Sequence, residues 1–145
     1  MIQTLTPRPR LKPQTLSRAD TVHEALEQAL VCEEAGPGFR ARLQRYAPFL
    51  AAEFDEEEGP EGVLGEVLEL DPGLGWRVAQ FRRQHARLLE GLRDLIDLLE
   101  REPADSPLAW DRRRRLHEDL VRHRRAEQRL LIDAHFLDLG GEGAA

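Results

Sequence analysis

The most chemically loaded stretch of the sequence carries His123 and Glu127, four residues apart. Stepping by three and four, the stripe through them reads Leu116, Leu120, His123, Glu127, Leu130 and Ala134. Leucines on both sides place that stripe against a core, so the imidazole and the carboxylate fall where the helix should be driest. An ionised carboxylate there is costly unless something positive compensates it. A metal ion is the strongest local candidate, and an arginine reaching across the core is the rival.

Other apolar stripes are broken by the same two residue types. One reads Leu43, Tyr46, Leu50, Glu53, Glu57, and another Val78, Phe81, His85, Leu88, Leu92, Leu95, Leu99. His23 lies at or inside the edge of a third, made of Val22, Leu26, Ala29 and Leu30. Each has a plainer reading alone. A core histidine is more often satisfied by a hydrogen bond, and Glu57 also belongs to the acidic run from Asp55 to Glu58. Together, His23, Glu53, Glu57, His85, His123 and Glu127 supply the imidazole nitrogens and carboxylate oxygens that non-haem iron or manganese takes inside a helical bundle.

Long amphipathic helices must position these groups. Residues 1–15, with Pro7, Pro9 and Pro13, read as a loose arm. A first helix is expected from Ser17 or Asp20, either of which can cap, to Glu34, where Gly36-Pro37-Gly38 stops it. A second runs from Phe39 to Glu58, with Pro48 expected to kink it or delay its start. After Gly59-Pro60 comes a short piece from Val63 to Leu70. Asp71-Pro72 then opens a third long helix reaching Glu100, and Ser106-Pro107 opens a fourth ending near Phe136, before Gly140-Gly141. The expected fold is all-α: an antiparallel up-down-up-down four-helix bundle over residues 16–141, with 142–145 as a tail.

Composition narrows the function classes. The chain has 145 residues, enough for one domain with its own core. It has no run of 18 apolar residues, so no spanning helix is expected. Met1 to Arg10 lacks the apolar segment of a secretory signal. Cys32 is the sole cysteine, which excludes an intrachain disulfide or a multi-cysteine zinc site and suits a reducing cytoplasm. Net charge is −6, and Glu118 and Asp119 follow the run Arg112 to Arg115, so that run reads as a solvated helix face and not a nucleic-acid patch.

Four of these segments, in order, resemble the hemerythrin-like (HHE) cation-binding family. His23 matches the histidine of its first helix, and Leu50 to Glu57 looks like its second motif, with Glu57 as the carboxylate. Arg83-Gln84-His85-Ala86-Arg87-Leu88 resembles the third and His123-x-x-x-Glu127 the fourth; the ending Leu137-Asp138-Leu139-Gly140-Gly141 is similar to the close of many bacterial members. The resemblance implies a di-iron centre, with Glu57 and Glu127 bridging, His85 and His123 on one metal, and His23 with Glu53 on the other. A single metal, manganese or zinc would also fit this donor set. Two departures stand out: Glu53 occupies a usual histidine position, and the third helix has one histidine, Phe81 and Leu89 being apolar. Such a carboxylate-rich site fits reversible oxygen carriage least.

The expected function is therefore metal binding in sensing, storage or handling of iron, dioxygen or nitric oxide. The alternative is a metal-free helical interaction module with a degenerate site. An enzyme has little support: Ser17 and Ser106, the only serines, sit at helix starts, and Glu33 and Glu34 beside Cys32 disfavour a thiolate. His117 and His135 lie off the stripe and read as surface or end residues.

Overall fold

Proline and short polar side chains start some of the helical segments. In the structure, a computed structural model describing the backbone of residues 13–144 and the side chains of residues 22–136, α1 spans Pro13–Val31 and α2 spans Phe39–Glu58. The short α3, Val63–Leu70, leads into a 3₁₀ turn, Pro72–Leu74. α4 is Gly75–Leu98 and α5 is Pro107–Ala144. Asp71 caps the 3₁₀ turn by accepting from the Gly73 amide at 2.9 Å, and Ser106 Oγ accepts from the Ala109 amide at 3.1 Å with Pro107 as the first helical residue of α5. No strand occurs among the described residues.

The boundaries depart from expectation in instructive places. α1 begins at Pro13, so residues 13–15 are helical, while the rest of the expected arm lies outside the described residues. Proline is at home at a first helical position, where its missing amide costs nothing. α1 stops at Val31, short of Glu34. The Leu30 carbonyl, which a longer helix would bond to the Glu34 amide, instead accepts from Arg113 Nε at 2.9 Å. α2 starts on time and runs through Pro48. α5 continues past Phe136 and the glycines to Ala144. Glycine weakens a helix by about 1 kcal/mol without obliging it to end, and among the described residues only Gly36 adopts the left-handed conformation of a glycine cap. Residues 142–144 thus belong to α5, and residue 145 lies outside the described residues.

Each long helix packs against two others: α1 against α2 and α5, and α4 against α2 and α5. Polar ties join the start of one helix to the end of another. Arg40, near the start of α2, donates to the Ile96 carbonyl at 3.0 Å and to Glu100 at 2.6 Å. Arg77, near the start of α4, pairs with Asp133 of α5 at 3.1 Å.

Arg113 corrects the expectation of a solvated arginine run. It is wholly buried, its guanidinium 4.6 Å from the Phe39 ring centre and 4.1 Å from that of Trp110. It donates to the carbonyls of Leu30, Cys32 and Ala104, fastening the end of α1 and the α4–α5 loop to α5. His117 and His135 are half-buried.

The interior divides in two. One apolar cluster holds Leu26, Leu30, Phe39, Leu43, Leu50, Phe54, Leu88, Leu92, Leu95, Leu116 and Leu120. The other holds Val63, Leu64, Val67, Leu74, Val78, Phe81, Leu130 and Ala134. On α4 the gap between them is His85, and on α5 it is His123 and Glu127. A polar layer therefore separates two hydrophobic cores. No described helix is long and apolar enough to cross a membrane.

Candidate metal centre

Glu57 comes from α2, His85 from α4, and His123 and Glu127 from α5. One ligand atom from each lies within 4.8 Å of the others. His85 Nε2 is 3.3 Å from Glu57 Oε1 and 3.8 Å from Glu127 Oε2, and His123 Nε2 is 3.4 Å from Glu127 Oε2. These are close contacts and not hydrogen bonds: all four atoms are buried, and none has a hydrogen-bond partner. A tetrahedron of ligands at about 2.0–2.1 Å from a metal has edges of about 3.3–3.4 Å. Two of the separations, 3.3 and 3.4 Å, match those edges, and the other contact, at 3.8 Å, is wider, within a group that spans up to 4.8 Å.

The histidines are held from behind. His85 Nδ1 lies 2.7 Å from Glu58 Oε2, and His123 Nδ1 lies 2.7 Å from Gln84 Oε1. Both partners are acceptors there, so each ring directs an Nδ1–H outward and turns its Nε2 edge toward the carboxylates. This is how metal-ligating histidines are usually oriented. Phe54 stacks on His85 at 4.0 Å and meets His123 edge-on at 5.8 Å, while Phe81 contacts His123 at 5.2 Å. Aromatic faces thus keep the rings dry and fixed. Behind Glu57, a Cβ on Gly62 would fall 1.9 Å from the Glu56 carbonyl oxygen and 2.6 Å from that of Glu57. Glycine there lets α3 start directly against the end of α2.

Burial pushes the Glu57 carboxyl up to about 8, helped by the neighbouring Glu127 carboxylate. Burial alone would lower His85, but Glu127, Glu57 and Glu58 around the ring outweigh it and push it up to about 9. Burial likewise favours protonation of Glu127, yet the facing His123, His85 and Glu57 hold it well below the usual carboxylate range. Near pH 7 the metal-free cluster thus balances a His85 cation against the Glu127 anion, with Glu57 neutral.

His23 and Glu53 are buried too but stand outside the four-residue group. His23 contacts the Phe54 ring edge-on at 5.8 Å, and burial lowers its pKa, keeping it neutral. Arg124, beside His123 in the chain, grips Glu27 of α1 through two bonds of 2.9 and 3.0 Å. Sequence reasoning missed Glu58, Gln84 and Glu27. Glu58 and Gln84 each adjoin a stripe residue, so their positions read as surface. An Nδ1 acceptor beside a ligand histidine is the signal that could have flagged them.

No protein-family model, no curated protein and no solved structure matches the chain. Fold and site define the class alone: an all-helical protein with a buried His/Glu cluster suited to a metal.

Proposed function

We propose that this chain is a hemerythrin-like, non-haem metal-binding protein, built as an antiparallel up-down-up-down bundle of α1, α2, α4 and α5. The start-to-end ties of Arg40, Arg77 and Arg113 support that topology. One observation carries the function: four buried ligand atoms converge, none satisfied by a hydrogen bond, while both histidines are oriented through Nδ1. Nearly every buried polar atom in a folded protein has a partner, so four orphans in one place call for an ion.

Glu57, His85, His123 and Glu127 form the primary site. His23 and Glu53 flank it and would serve the second ion of a di-iron pair. Iron held there would supply one-electron chemistry and affinity for a small ligand such as dioxygen or nitric oxide, fitting a cytoplasmic role in sensing, storage or handling of these species. Manganese or zinc suits the same donors.

The test is elemental analysis after anaerobic loading with ferrous iron and desalting. At least one ion per chain is expected, falling to background in His123→Ala. No retained iron, manganese or zinc in the folded protein would sink the reading. The second reading, a metal-free scaffold, is favoured by one fact: the cluster can balance its own charge through His85 and Glu127. It requires a melting temperature indifferent to every metal tried.

A further inference from the structure

The two histidines of the cluster are backed by different chemistry. Behind His85 stands the Glu58 carboxylate, and behind His123 the Gln84 amide oxygen, each 2.7 Å from Nδ1. Both fix the same tautomer, but only one brings a charge. A carboxylate on the far nitrogen makes an imidazole a stronger donor to a metal, whereas an amide leaves it nearly as it was. With Glu57 and Glu127 in front, Glu58 places a third carboxylate around the His85 ring.

The surroundings differ as well. Gln84 and His123 line a cavity of about 310 Å³ between α4 and α5, whose other walls are Arg87, Leu88, Asp119, Arg122 and Ala126. His85 is instead covered by the Phe54 ring stacked upon it. The anionic support thus lies behind the covered histidine, and the neutral support behind the one bordering a cavity.

We propose that Glu58 is a positioning and tuning residue that makes His85 the anchoring ligand, and that Gln84 keeps His123 the weaker, more exchangeable one. This rests on the metal-site reading above. Glutamine at position 58 can still accept from Nδ1, so Glu58→Gln removes the charge and keeps the tautomer; Gln84→Glu adds a charge behind the other ring.

The experiment is cobalt(II) titration, read by visible absorption and by competition with a chelator, on wild type, Glu58→Gln, Gln84→Glu and the double swap. Glu58→Gln should weaken binding about 10-fold or more. Gln84→Glu should tighten it, and the swap should return toward the wild-type affinity. Opposite signs from the two single variants are the signature, because simple structural damage weakens both. Circular dichroism of each metal-free variant checks that the helices remain. Equal affinities within about twofold, or weakening in both, would overturn the tuning role while the metal site stands. A wild type that binds no cobalt would overturn site and tuning together.

Discussion

At the scale of single residues, the cluster is a proton-balanced site that a metal would have to deprotonate. His85 is raised to about 9, so its protonation stabilises the metal-free fold fully below the unfolded value near 6.5, and the gain is lost as pH climbs toward 9. Glu57, raised to about 8, acts in the same direction: the unfolded chain ionises it from about pH 4.5, while the folded chain resists until about 8. Glu127, held low, loses its contribution only in acid, and lowered His23 acts below about pH 6.5. Between pH 7 and 9 the surviving slopes are therefore both downward. With chelator present, the melting temperature should fall over that range by an amount reflecting roughly 3–4 kcal/mol. Glu57→Gln should flatten the slope, because the folded protein then carries no acid there. Thermal melts at pH 7, 8 and 9 decide the matter, and a stability that rises with pH would contradict the charge assignment.

Among the elements, α5 carries the most and was the least completely legible. Its stripe from Leu116 to Ala134 could be read from spacing alone, because a helix buries every third or fourth residue and the exceptions then name themselves. That logic placed His123 and Glu127, as it placed Glu57 and His85 on their own helices. It failed for Arg113, whose neighbours Arg112, Arg114 and Arg115 are exposed as expected. Periodicity counts apolar residues and misses a cation that is solvated by carbonyls and aromatic faces instead of water. It also failed at helix ends, where Leu30 and Cys32 gave their carbonyls to a side chain 83 and 81 residues away. Arg113→Met keeps the stem and removes every donor. It should destabilise the fold by about 3 kcal/mol or more, since three carbonyls lose a partner at about 1 kcal/mol or more each. Denaturant unfolding measures this. A loss under about 1 kcal/mol would mean that water reaches those carbonyls.

For the molecule as a whole, the polar layer between two apolar cores is where a bound ion would change stability most. Glu57, His85, and His123 with Glu127 sit on α2, α4 and α5, so one ion would tie three helices at that layer; α1 would join only through His23 and a second ion. Any ligand that binds the folded state alone stabilises it by mass action, by about 4 kcal/mol at 1,000 times its dissociation constant. For a chain of this size that is a rise of roughly 10 °C in melting temperature. The rise should reverse with chelator and be absent in His123→Ala. Amide exchange should show where it lands. With one ion, protection should grow in α2, α4 and α5 around the layer and change least in α1. Equal growth near His23 would instead report the paired centre, with elemental analysis then giving two ions per chain. A metal-independent melting temperature, with unchanged exchange throughout, leaves the layer to its own His85–Glu127 charge pair and the chain to the scaffold reading.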